Sequence, residues 1–251
     1  MASNNEHHNL LQQSFKIEDF QLHAFRDLLT EKKIDINNSA KIIEKIQDLI
    51  KVALEIHAII QRINCDLIKL NDIGNLISLQ NEDLFEEMDE INDEILDKVK
   101  YNIYLIIDIQ SLIIWLMMFL DKIPHLIVNL FNGNPGIRMA TYEEFYKSLI
   151  RNNNEKIIEL RNLFHAYNCI FQKIRKIRHK YVIHKSNKTL SVIVLNKSYF
   201  GTQLRTYERL LKKSIILDNS DLDLFIATFK KFLIDLNKYL CDNIDEIPFN
   251  A

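Results

Sequence analysis

One run of apolar residues constrains the fold more than any other feature of the chain. Ile42, Ile46, Leu49, Ala53, Ile56, Ile60, Ile63, Leu67 and Leu70 follow one another in alternating steps of four and three. That spacing keeps them on one face of a continuous α-helix. A strand, with its period of two, would scatter them over both faces. Asn38 or Ser39 is suited to cap the start of this helix. The chain has only 4 Gly and 3 Pro among 251 residues. A sheet protein of this size needs many turns, and turns draw on both residue types. The sequence therefore predicts an all-α chain of long helices with few connections.

Other elements can be placed around that helix. A first helix is expected over about 18–33. Residues 71–81 hold Gly74 and read as a connection. From Glu82 to Asp97 there are nine acidic residues and no Lys or Arg, with Leu84, Met88, Ile91 and Ile95 at helical spacing. This helix should continue into the apolar stretch Ile103–Leu120 and break or kink near Pro124. Asn132-Gly133-Asn134-Pro135-Gly136 is the strongest turn signal. Thr141-Tyr142-Glu143-Glu144 then reads as a capping box. Ile157, Leu160, Phe164, Tyr167, Phe171 and Ile174 mark a helix that starts near Asn154. Leu222, Phe225, Phe229, Phe232, Leu236 and Tyr239 mark a last helix over about 221–241. Between these two, 186–201 lose the helical period, and 189–195 suit a short extended segment. The simplest division is a flexible N-terminus (1–13), an N-terminal helical extension (14–81) and a helical bundle (82–251).

Several functional classes are disfavoured. The stretch Ile103–Leu120 approaches the roughly 20 apolar residues that a membrane span needs, but Asp108 and Gln110 lie within it. A charge at that depth costs a few kcal/mol, so a core helix is expected and no membrane. Asp108 would then be a buried acid bonded to a Tyr or Arg, or a site residue. Cys65, Cys169 and Cys241 are too scattered for a disulfide framework or a zinc finger. The first nine residues have neither the basic start nor the apolar run of a secretory signal. A reducing, cytoplasmic setting is expected. There is no Gly-rich phosphate loop, no nucleophile elbow and no Glu-x-x-His pair of a di-metal bundle. Neither a cofactor nor a metal is expected.

The seam of the 154–185 helix ends unusually. After Ile174 the next position in register is Arg178, and the parallel set Ile170, Ile174, Ile177, Tyr181 arrives at His184. A cation and an imidazole thus stand where the pattern calls for apolar side chains, and local rules break most often at functional or strained positions. Six residues of helix rise about 9 Å and place Arg178 and His184 about 120° apart around the axis, flanking Tyr181. Two such helices related by a two-fold axis would gather two Arg and two His in one groove, and a two-fold homodimer is the commonest closed assembly. From Phe171 to Lys213 there are twelve Lys and Arg against one acid, Glu208, in a chain of net charge −2. Such asymmetry is the footprint of a nucleic-acid partner. Arg175, Lys176, Lys180, Lys185 and Lys188 are the cations nearest the seam's end, and Tyr181 offers a stacking face for an unpaired base.

Arg178, His179, four further residues and His184 resemble the signature of the HEPN superfamily, and the run from Ile174 to His184 is similar to its abortive-infection branch. The resemblance covers roughly 95–241, with its specific part at 174–184. It implies a HEPN-like antiparallel helical bundle that dimerises and cleaves RNA without a metal, in toxin–antitoxin or phage-defence settings. On that reading the RNA 2′-OH attacks its own phosphate. His184 serves as general acid or base, a role suited to its ordinary pKa. Arg178 stabilises charge on the phosphorane-like transition state, and His179 orients the pair or the phosphate. An acid on an earlier helix supports the site in some members; Asp121 and Asp108 are the candidates, and no motif chooses between them. Where antitoxin-regulated members carry Tyr two residues after the motif His, this chain has Ser186. An antitoxin or regulatory protein remains among the implied partners, by another route. Two other readings compete. One is a catalytically inactive helical module that binds RNA or protein. The other is a structural interaction protein whose 39–70 seam packs against a partner, as a seam exposed on the free chain would indicate.

Overall fold

A computed structural model of the chain describes residues 22–31, 36–80, 93–130, 141–152, 155–179, 190–192, 215–217 and 219–245. The described residues form six helices: α1 (His23–Glu31), α2 (Ile36–Gln80), α3 (Asp93–Leu130), α4 (Tyr142–Arg151), α5 (Glu155–Ile177) and α6 (Asn219–Asp242). The fold is an all-α helical bundle. The extended segment expected near 189–195 is present as β1 (Leu190–Val192), paired in parallel with β2 (Ile215–Leu217) in the register Leu190↔Ile215 to Val192↔Leu217.

The chain divides into two compact units. One draws its described residues from Ala58–Ile113 and Ile177–Asp223, the other from Phe15–His57, Ile114–Lys176 and Leu224–Ala251. Each therefore takes chain from both sides of residue 81.

The seam of α2 does what its period predicts. All nine of its residues, Ile42 to Leu70, are buried. It packs inside the chain and is not free to meet a partner. In the second unit the core is largely aromatic. Phe171 and Phe232 meet edge to face with ring centroids 5.1 Å apart, Phe164 and Phe232 likewise at 5.1 Å, and Phe145 and Phe164 at 5.1 Å. Each such pair adds about 0.5–1.5 kcal/mol beyond the area it buries. The first unit is held by Ile60 and Ile63 of α2, Leu105, Ile109 and Leu112 of α3, and Ile177 at the end of α5, all buried.

Neither the connection expected over 71–81 nor the break or kink expected near Pro124 ends its helix. Residues 71–80 do not form a connection; α2 runs through Gly74 to Gln80. A glycine inside a helix costs about 1 kcal/mol relative to Ala, which does not stop a helix already nucleated and packed. Nor does α3 end at Pro124; it continues to Leu130. An interior proline costs about 3 kcal/mol or more. Beyond it, Leu126, Ile127 and Leu130 are fully buried, and each such side chain contributes about 1.5–3 kcal/mol. The burial wins. The helix caps expected at Asn38 or Ser39 lie inside α2, which starts at Ile36. The acidic residues 82–92 and the turn at 132–136 lie outside the described residues.

Candidate functional site

α5 ends at Ile177, directly before the first residues of the motif, Arg178 and His179. Phe171, Ile174 and Ile177 are buried, and the following Arg178 is half-buried while His179 is exposed. At 178–179 the helix widens into a π-type turn, a geometry that recurs at functional positions. The Nε of Arg178 is buried. Lys176 is exposed. His184, Lys180, Tyr181, Lys185 and Lys188 lie outside the described residues.

One turn before Arg178, Arg175 is tied into the bundle. Its Nη1 donates to Gln172 Oε1 at 3.2 Å, and its Nη2 donates to the Glu143 carboxylate on α4. Glu143 also receives Lys147 Nζ at 2.7 Å. That bond from Lys147, with the added field of Arg175, holds the Glu143 carboxyl below the usual carboxylate range. Arg175, expected among the cations for RNA, is bonded to an internal anion.

The start of α4 explains why Glu143 is well placed. Thr141 caps the helix, its hydroxyl accepting from Glu144 N at 3.3 Å. Tyr142 is fully buried, stacks on Tyr146 and meets Phe171 edge to face at 5.6 Å. Its backbone N–H donates to Asp121 Oδ1 at 3.2 Å and its hydroxyl to Asn168 Oδ1 at 3.3 Å. Asp121, one candidate for a supporting acid, is thus engaged at the N-terminus of α4, where a carboxylate is favoured by the helix dipole. Burial pushes the Tyr142 hydroxyl well above its ordinary pKa, so it acts as a neutral donor.

Asp108, the other candidate acid, is buried on α3 in the first unit. It accepts from Arg62 of α2 through Nε at 3.1 Å and Nη2 at 2.8 Å. Asp66 stands nearby, its pKa raised first by burial and then by Asp108, with Arg62 opposing both. Arg62, Cys65, Asp66, Tyr104, Ile107 and Asp108 line a cleft of about 290 Å³. No local pattern signals a pairing across 46 residues. Sequence reading likewise missed Tyr146, whose hydroxyl shares a 2.7 Å hydrogen bond with His165 Nδ1, and the bond from Tyr167 to Asp235. Both tyrosines stand on helical seams, where the pattern records only their apolar bodies.

The stretch Ile103–Leu130 of α3 is long and apolar enough to cross a membrane by length and composition, and half of its most apolar window is buried. Comparison of the chain with protein-family models, with curated proteins and with solved structures finds no match.

Proposed function

We propose that the chain is a metal-independent endoribonuclease of toxin or phage-defence type that acts in the cytoplasm as a homodimer. The observation that carries this reading is the end of α5. There the apolar seam gives way to Arg178, half-buried at a π-type turn, with His179 exposed beside it. A guanidinium partly withdrawn from water acts more strongly on a phosphate than one on an open surface, because less solvent screens it. The HEPN-like spacing from Arg178 to His184 and the twelve cations between 171 and 213 support the same reading.

The chemistry assigns each residue one task. His184 takes the proton from the attacking 2′-OH or returns one to the leaving 5′-oxygen. Arg178 binds the non-bridging oxygens as negative charge grows on them. Lys176, Lys180, Lys185 and Lys188 hold flanking phosphates, and Tyr181 stacks on a base. The test is cleavage of RNA in EDTA by the wild type, His184→Ala and Arg178→Ala side by side. The wild type should leave 2′,3′-cyclic phosphate ends, and each variant should lose at least about 100-fold in rate. Equal activity in all three would place the chemistry elsewhere.

A further inference from the structure

Between α4 and α5 one chain of hydrogen bonds runs along the bundle. Tyr142 donates to Asn168, Gln172 Nε2 donates to the same Asn168 Oδ1 at 3.4 Å, Arg175 donates to Gln172, and Arg175 closes on Glu143. Both ends belong to the first turn of α4, since Tyr142 and Glu143 are consecutive. That turn is a rigid mount: it is capped by Thr141, its first N–H is bonded to Asp121, and Tyr142 is buried among aromatic rings. The other members lie at 168, 172 and 175, in steps of four and three along one face of α5.

We infer that Glu143 is a positioning residue: it commits Arg175 to the bundle as a strut that fixes the rotation of the last turns of α5, directly before Arg178 and His179. The inference rests on the ribonuclease reading for its functional consequence, but its structural half stands apart. A free Arg175 would have the opposite role. It would be one more cation for RNA, and Glu143 would merely compete with phosphate for it.

The two roles predict opposite signs for one isosteric change, Glu143→Gln. If Arg175 is a strut, the last turns of α5 loosen. Hydrogen exchange of the 172–177 amides should then quicken about threefold, a size typical of a half-exposed ion pair. RNA cleavage should fall several-fold in kcat with KM unchanged. Tyr142→Phe, which keeps the ring packing and removes the bond to Asn168, should give a weaker form of the same signature. If Arg175 is an RNA contact, Glu143→Gln releases it: KM falls, exchange is unchanged, and the inference is overturned. Should the wild type fail to cleave RNA, the ribonuclease reading fails separately. Exchange alone then decides the strut, and unchanged exchange in both variants overturns it.

Discussion

Asp108 stands in the most apolar of the described helices, and its charge is matched by the Arg62 guanidinium. Two donors of Arg62 reach it, at 3.1 and 2.8 Å. Removing that partner strands a buried carboxylate, which is costly where burial is complete. The Arg62 side chain is 55% exposed, so water softens the loss. Arg62→Ala should destabilise the fold by about 1–2 kcal/mol, read from urea unfolding at pH 7. Asp66, beside the pair, should behave in the opposite sense. Its pKa is raised above the ordinary 3.8, so the folded chain holds that proton more tightly than the unfolded one. Its contribution is most favourable below pH 3.8 and is lost as pH climbs through the raised value. Asp66→Asn should therefore raise the melting temperature at pH 7 and lose this advantage as the pH nears 4. An unchanged Tm at pH 7 would show that Asp66 is ionised at no cost. At this scale sequence legibility is uneven. The apolar period placed Asp108 in a core helix, but its partner, 46 residues away on another helix, leaves no trace in local spacing.

At the scale of elements the period of apolar residues was the reliable guide, and single breaker residues were not. α2 does not stop at Leu70 but runs through Gly74 to Gln80. The helix propensity of one glycine does not decide the fate of a 45-residue helix. At Pro124, where a break or kink is expected, α3 does not end, and buried residues on the far side outweigh the lost hydrogen bond. Gly74→Ala should accordingly stabilise the protein by about 1 kcal/mol. A connection with a glycine at positive φ would instead be damaged by the added Cβ, so a loss of stability would show that 71–80 is not helical. The cap of α4 was legible because capping depends on residues within one turn. Thr141→Ala should cost about 1 kcal/mol in urea unfolding. If Arg175 is a strut, this change should also quicken exchange in the last turns of α5, since it loosens the mount.

For the whole molecule the strongest sequence feature is the separation of charge: nine acids without a base over 82–97 and a surplus of +11 over 171–213. The division of the chain into two units was not legible, because α2 and α3 each pass from one unit to the other and no composition shift marks the passage. Charge separation has a measurable consequence whatever the catalytic outcome. If the basic stretch meets phosphates, RNA affinity must fall with salt, because each neutralised phosphate releases a counterion. For single strands the slope of log K against log salt is about −0.7 per contact. Arg175 is held by Glu143 and should not count among the contacts. His184→Ala allows binding to be followed without cleavage. In that background, replacing Lys185 and Lys188 together by Gln should reduce the magnitude of the slope by about 1.4, while replacing Arg175 should leave it unchanged. A slope near zero in the parent would mean that the cations between 171 and 213 serve some partner other than a nucleic acid. A reduced slope on replacing Arg175 would return that residue to the RNA surface and remove the strut from α5.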